Sequence, residues 1–163
     1  EKVVLLGKDM QEMGGSEYLK HYAGKVTGKA PVIDINAEMN LQKAVLKLID
    51  EKTISAAHDT SEGGLAICLA EMAIASQGLG CSIDLGEVNV GKAFGETQSR
   101  IVVSLSEANM AKLKAVCAEF NVPCEELGSV VKSDFEIKGY IKTTQAEIKT
   151  AYETAIADIM SHN

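Results

Sequence analysis

His58-Asp59-Thr60-Ser61-Glu62 runs directly into Gly63-Gly64 and then into small apolar residues as far as Ala75, with Glu71 the only charge among them. Ionisable groups crowded against a segment that must be buried cost free energy unless something satisfies them. A helix that starts after a glycine pair presents unpaired N–H groups and the positive end of its dipole, an arrangement that suits an anion. A carboxylate at the same point would repel that anion, and a divalent cation removes the objection. Mg²⁺ prefers oxygen ligands and commonly joins one or two carboxylates to phosphates. On this reading Asp59 is a metal ligand, Ser61, Gly63 and Gly64 meet a phosphate or nucleotide, and His58 faces the same ligand. The same residues also make an ordinary helix start, with Asp59 or Ser61 as cap and Glu62 complementing the dipole, and spacing alone favours that plainer arrangement.

A second polar group, Phe94-Gly95-Glu96-Thr97-Gln98-Ser99-Arg100, precedes an apolar run. If extended, it turns Glu96, Gln98 and Arg100 to one side, either as a ligand-facing row or as a solvated strand edge. Neither group pairs a nucleophile with a general base, so autonomous catalysis is not expected. "GGSEYLK" lacks the Lys-Ser/Thr ending of a Walker A loop.

These residues need elements to hold them. "KVVLLG" reads as a buried strand, and Ser16 caps a short helix ending at Gly24. From Asn36, taken as a cap, to Lys52, apolar residues recur at the spacing of a surface helix. "TISAAHD" is a strand leading to the polar cluster. Residues 63 to 77 form a helix apolar nearly all round, expected to be sandwiched between layers. "GCSIDLG" and "RIVVSLS" read as strands and Ser106 to Asn121 as a helix. "PCEELGSVV" and "DFEIKGYIK" read as two more strands with Gly128 and Gly139 as breakers. Thr144-Gln145-Ala146-Glu147 fits a capping box opening a last helix to about Met160. Helices and strands mix without strict alternation, so the expected fold class is α+β, a mixed sheet layered with α-helices.

At 163 residues and 46% apolar content the chain fills one core, and a single domain over residues 1–163 is expected. It opens into an apolar run without an initiator Met, which suggests a fragment of a longer polypeptide. A net charge of -7 and a pI near 5.0 argue against a nucleic-acid partner. No apolar stretch suits a membrane span and no leader stands out, so a soluble, cytoplasmic protein is expected. Cys68, Cys81, Cys117 and Cys124, spaced by 13, 36 and 7, suit neither a zinc site nor a disulfide framework and read as structural thiols.

"GGSEYL", "AHDTSEGGLAICLAEMAIAS" and "FGETQSRIVVSL", in this order and at these distances, closely resemble the C-terminal domain of phosphoribosylformylglycinamidine synthase, over about residues 2 to 131. The resemblance implies a synthetase-superfamily C-terminal domain from the second half of an enzyme with duplicated halves. That enzyme is an ATP-dependent ligase of de novo purine biosynthesis. With ATP and Mg²⁺ it activates the formyl amide oxygen of formylglycinamide ribonucleotide, and glutamine-derived ammonia displaces the phosphate. By resemblance, Asp59 binds magnesium at an auxiliary nucleotide site holding ATP or ADP, and Ser61 contacts the nucleotide. Glu96-Thr97-Gln98 resembles a Glu-Ser-Gln segment that holds substrate in the first-half copy. The implied partners are the remaining domains of the same enzyme and a glutaminase domain or subunit, with assembly as a homo-oligomer left open. The isolated fragment is expected to be inactive. The alternatives are a non-catalytic interaction module, or a domain of a sister synthetase of the selenophosphate, thiamine phosphate or hydrogenase-maturation type.

Overall fold

Four consecutive Val and Leu residues in β1 (Lys2–Leu6) suit a strand covered on both faces rather than one. In the computed structural model, which describes residues 1–87 and 89–161, Val3 and Leu5 point into one core and Val4 and Leu6 into another. The strand belongs to a seven-stranded sheet with β2 (Ala56–Asp59), β3 (Leu79–Ile83), β4 (Ile101–Leu105), β5 (Cys124–Lys132), β6 (Asp134–Ile137) and β7 (Ile141–Thr144). The spatial order is β2-β4-β1-β5-β3-β6-β7. Neighbours run antiparallel except β3 and β6, which are parallel. This is the mixed α+β sheet expected from the sequence.

Helices cover both faces. The first core sets Leu65, Cys68, Leu69 and Ala73 of α3 (Gly64–Ala75) and Ala93 of α4 (Val90–Phe94) against the sheet. The second sets Leu41, Ala44 and Leu48 of α2 (Ile35–Asp50) and Leu113 and Val116 of α5 (Met110–Glu119) against Val103 and Leu105 of β4. The short α1 is Glu17–Ala23 and the last helix, α6, is Gln145–Ser161. The apolar α3 is sandwiched in part: α4 and α6 flank it, while Ile67 stays 41% exposed. Among the described residues no helix is long and apolar enough to cross a membrane.

Local capping follows residue type. Ser16 accepts a hydrogen bond from the Leu19 N–H, and α1 ends at left-handed Gly24. Thr144 and Glu147 form a reciprocal capping box, each side chain taking the other's backbone N–H. The cap of α2 differs from the expectation: Asp34, not Asn36, accepts from the N–H groups of Asn36 and Ala37. A carboxylate two residues earlier reaches two orphan donors at once. "DFEIKGYIK" is not one strand but the β6–β7 hairpin, turned at left-handed Gly139. Gly128 does not break β5. It lies at a register shift opposite Val3, where a Cβ would sit 2.1 Å from the Ser82 carbonyl oxygen of β3.

Leu48, which is fully buried, and Leu46, which is 60% exposed, test this layering on a single helix. Leu48→Ala is expected to cost about 2–5 kcal/mol in urea unfolding. Leu46→Ala should stay within about 0.5 kcal/mol of the parent.

Candidate functional site

Successive side chains on a strand point to opposite faces, yet at the end of β2 the two residues expected to share a ligand stay near each other, His58 Nδ1 lying 3.8 Å from Asp59 Oδ1. His58 lies opposite Val102, which faces the first core, and Asp59 lies opposite Ile101, which packs toward the second. The His58 ring therefore sits beneath α3, with Nδ1 3.8 Å from the Cys68 sulfur and Nε2 3.8 Å from a Glu71 carboxylate oxygen. It borders an apolar cavity of about 330 Å³ with Leu69 and Met72. Cysteine, histidine and glutamate in this order invite comparison with a nucleophilic triad. Burial pushes the Cys68 thiol up to about 12, and a buried thiol of that kind is inert.

Asp59 is exposed where the chain leaves β2. The segment after it is pinned by Thr60, whose N–H and hydroxyl both donate to the Arg100 carbonyl oxygen, at 3.0 and 3.2 Å. The Ser61 hydroxyl donates to Asp59 Oδ2 at 2.5 Å. This bond is the main reason the Asp59 carboxyl lies below the usual carboxylate range. Gly63 and Gly64 both take positive φ, 78° and 67°. At Gly64 only glycine fits, since a Cβ would come within 2.5 Å of the Gly95 carbonyl oxygen.

The plainer alternative, with Asp59 or Ser61 capping α3, is not what forms. The cap residue is Gly63 and it supplies no side chain. Glu96 acts from a distance instead: its Oε1 accepts the Gly63 N–H at 2.8 Å and the Glu17 N–H, in the first turn of α1, at 2.9 Å. One carboxylate oxygen thereby serves the starts of two helices, where negative charge is also favoured by both dipoles.

The row expected at Glu96, Gln98 and Arg100 divides accordingly, because Ser99 has φ 59° and the segment is not an extended strand. Gln98 is exposed on the cleft. Arg100 is only 2% exposed, and its guanidinium donates to the Thr97 and Gly95 carbonyl oxygens and to Asp9 Oδ1 at 3.0, 2.6 and 3.1 Å. Burial lowers its pKa and Asp9 opposes that shift. Arg100 is thus a positioning residue rather than a ligand-facing one. Thr97 is buried, and its Oγ1 accepts the Met10 and Glu12 N–H groups, a task that needs a hydroxyl and is indifferent to the extra methyl.

What remains is a cleft of about 430 Å³ in which Asp59, Ser61, Glu62, Glu96, Gln98 and Glu38 take part. Glu38 comes from the first turn of α2, and no local pattern near the glycine pair points to it. The nearby guanidinium is already committed, so the wall is acidic and suits a cation better than a bare anion. Among the described residues no group of three or more His, Cys, Asp or Glu could hold a metal. A cation here would draw on the exposed Asp59 carboxylate and take its other oxygens from a ligand and water, which is the habit of Mg²⁺.

Sheet order, the glycine-opened α3 and the cleft define an α+β domain with an acidic cleft at one helix start. The chain belongs to the family described as AIR synthase related protein, C-terminal domain, which it matches over residues 1–139. It is 46% identical over 133 residues to the phosphoribosylformylglycinamidine synthase subunit PurL of Symbiobacterium thermophilum, covering 78% of this chain and 17% of that subunit. It thus spans under a fifth of that relative's length. Two solved structures share the fold. Thermotoga maritima PurL complexed with FGAR has a TM-score of 0.72 at 17% identity, covering 91% of this chain and 27% of that one. The same protein complexed with ATP has a TM-score of 0.69 at 16% identity, covering 91% and 25%.

Glu96→Ala removes an acceptor from two backbone donors and is expected to lower unfolding stability by about 1–3 kcal/mol. Glu96→Gln keeps the acceptor but not its charge and should cost about 1 kcal/mol, both read by chemical denaturation. For Asp59, NMR titration of the carboxyl carbon should give a value below that of an exposed aspartate, and Ser61→Ala should raise it. Because the folded value is the depressed one, whatever the carboxylate contributes is present at neutral pH. It is lost only as pH falls through that depressed value.

Proposed function

We propose that this chain is a C-terminal synthetase-like domain of a phosphoribosylformylglycinamidine synthase subunit, a single domain of a longer polypeptide, and that its cleft holds a magnesium–nucleotide complex. The observation that carries this reading is the division of the cleft acids. Glu96 gives its Oε1 to two helix starts, while Asp59 keeps an exposed carboxylate at the mouth of α3. Asp59 binds the cation, Ser61 orients that carboxylate and contacts the nucleotide, and the Gly63–Gly64 turn lets phosphate approach the backbone. Bound there, Mg²⁺ would neutralise phosphate charge that the acidic wall otherwise repels. Support comes from the PurL relative and from a neighbour complexed with ATP.

In this reading the domain takes part in the ATP-dependent amidation of formylglycinamide ribonucleotide in purine biosynthesis. The reacting groups lie largely on other domains, with glutamine-derived ammonia supplied by a glutaminase domain or subunit in the cytoplasm. Alone, the domain turns over no substrate.

The test uses the intact polypeptide. Asp59→Asn is expected to abolish co-purifying nucleotide and magnesium and to lower the melting temperature. A ligand at a hundred times its dissociation constant stabilises by about 2.7 kcal/mol, which sets the scale of the loss. Unchanged nucleotide content together with an unchanged melting temperature would remove the metal role.

A further inference from the structure

The sheet leaves open space under α3 at one edge. β2 is the outermost strand, and its Ala56 and Ala57, with Ala73 of α3 and Gly80 of β3, are too small to fill the gap that the helix spans. The result is the apolar cavity of about 330 Å³, walled also by Val3, Leu69, Met72 and Val130, with no lysine or arginine lining it. Interiors are otherwise close-packed, and a concave apolar volume of this size falls in the range that small molecules occupy.

Two acceptors without donors stand at its rim. His58 Nδ1 lies 2.8 Å from the Asp59 carbonyl oxygen, which can only accept, so the ring proton is on Nδ1 and the neutral ring keeps Nε2 as an acceptor. Nε2 faces a Glu71 carboxylate oxygen at 3.8 Å, too far for a hydrogen bond. The Glu71 side chain is 43% exposed and has no lysine or arginine partner among the described residues. A second carboxylate, that of Glu1 on the cavity wall, accepts the Ser55 and Ser104 hydroxyls at 2.6 and 3.1 Å. The rim is therefore rich in acceptors and negative charge, and the walls are apolar.

We propose that this cavity is a binding site for a small aliphatic amine. Its ammonium group sits between His58 Nε2 and Glu71 and donates an N–H to each, while its alkyl chain lies along Leu69 and Met72. An ammonium carries three donors and no acceptor, which matches a rim that offers acceptors only. A carboxylate of the same length would meet like charge, and an alcohol, with one donor, would leave an acceptor and the charge of Glu71 unanswered. The cavity shares no lining residue with the acidic cleft, so this inference stands apart from the nucleotide reading.

The intact polypeptide, isotope-labelled at its methionine methyl groups, is titrated by NMR at neutral pH and constant ionic strength with n-pentylamine, n-pentanol and pentanoate. The Met72 signal is the one missing from Met72→Leu. It is expected to shift and saturate with pentylamine at a concentration about tenfold below that needed for pentanol, and to stay still with pentanoate. Lengthening the probe from propylamine to pentylamine should tighten binding about fourfold per methylene. Glu71→Gln should bring pentylamine to the affinity of pentanol. Ala56→Leu, at an exposed position of the edge strand, should fill the cavity and abolish binding of both. Equal affinities of the amine and the alcohol in wild type, or amine binding unchanged by Glu71→Gln, would overturn the proposal. So would a Met72 signal that answers no probe, the cavity then being covered by another part of the polypeptide.

Discussion

One carboxylate oxygen of Glu96 ties together three stretches of chain that are far apart in sequence. It accepts from Glu17 at the start of α1 and from Gly63 before α3, while its own backbone N–H donates to the Glu12 carbonyl oxygen at 2.8 Å. Its neighbours extend the same knot. Thr97 takes two N–H groups of the 10–12 loop and Arg100 reaches back to Asp9. Backbone donors at helix starts have no partners within the helix and must find them elsewhere. Here they find a single charged acceptor, and the geometry of the cleft follows from that sharing.

The knot also sorts the charges. A guanidinium already bonded to three oxygens has little left to offer a ligand, and Glu96 has one of its two carboxylate oxygens taken by two amides. Asp59 is different: its neighbours are local, Ser61 donating to Oδ2 and the His58 ring 3.8 Å from Oδ1, and the carboxylate stays in solvent. Commitment rather than residue type separates groups that hold the cleft from groups that can bind in it.

Most of the architecture was legible beforehand, for reasons that differ by element. Buried faces leave periodic traces, so α2 and α5 could be read from apolar spacing, while β1 and α3 stood out as continuous apolar runs. The caps at Ser16 and Thr144–Glu147 depend on residues only three positions apart and were equally readable. The misses involve longer or irregular geometry. Extending 96–100 as a strand put Arg100 on the ligand side, and the left-handed Ser99 voids that extrapolation. The short α4 carries too few residues to show a period. Asp59, Ser61 and Gln98 could be grouped because each lies in a polar run beside a turn. Glu38 could not, since only the packing of α2 on the sheet brings it to the cleft.

The alternation of β2 has a consequence for what insertions this chain can tolerate. Shifting the strand by one residue against β4 would exchange its two faces. The imidazole would then look out from the acidic wall while a carboxylate was driven under α3, beside Cys68 and Glu71, where it would be desolvated next to like charge. Length changes are therefore barred between Thr53, whose N–H is fixed to the Leu48 carbonyl oxygen, and Thr60, fixed to Arg100. The exposed stretch around residues 25–30 belongs to no strand and carries no such exchange of faces, its tie to the rest being the Gly15 N–H that donates to the Thr27 carbonyl oxygen at 2.8 Å.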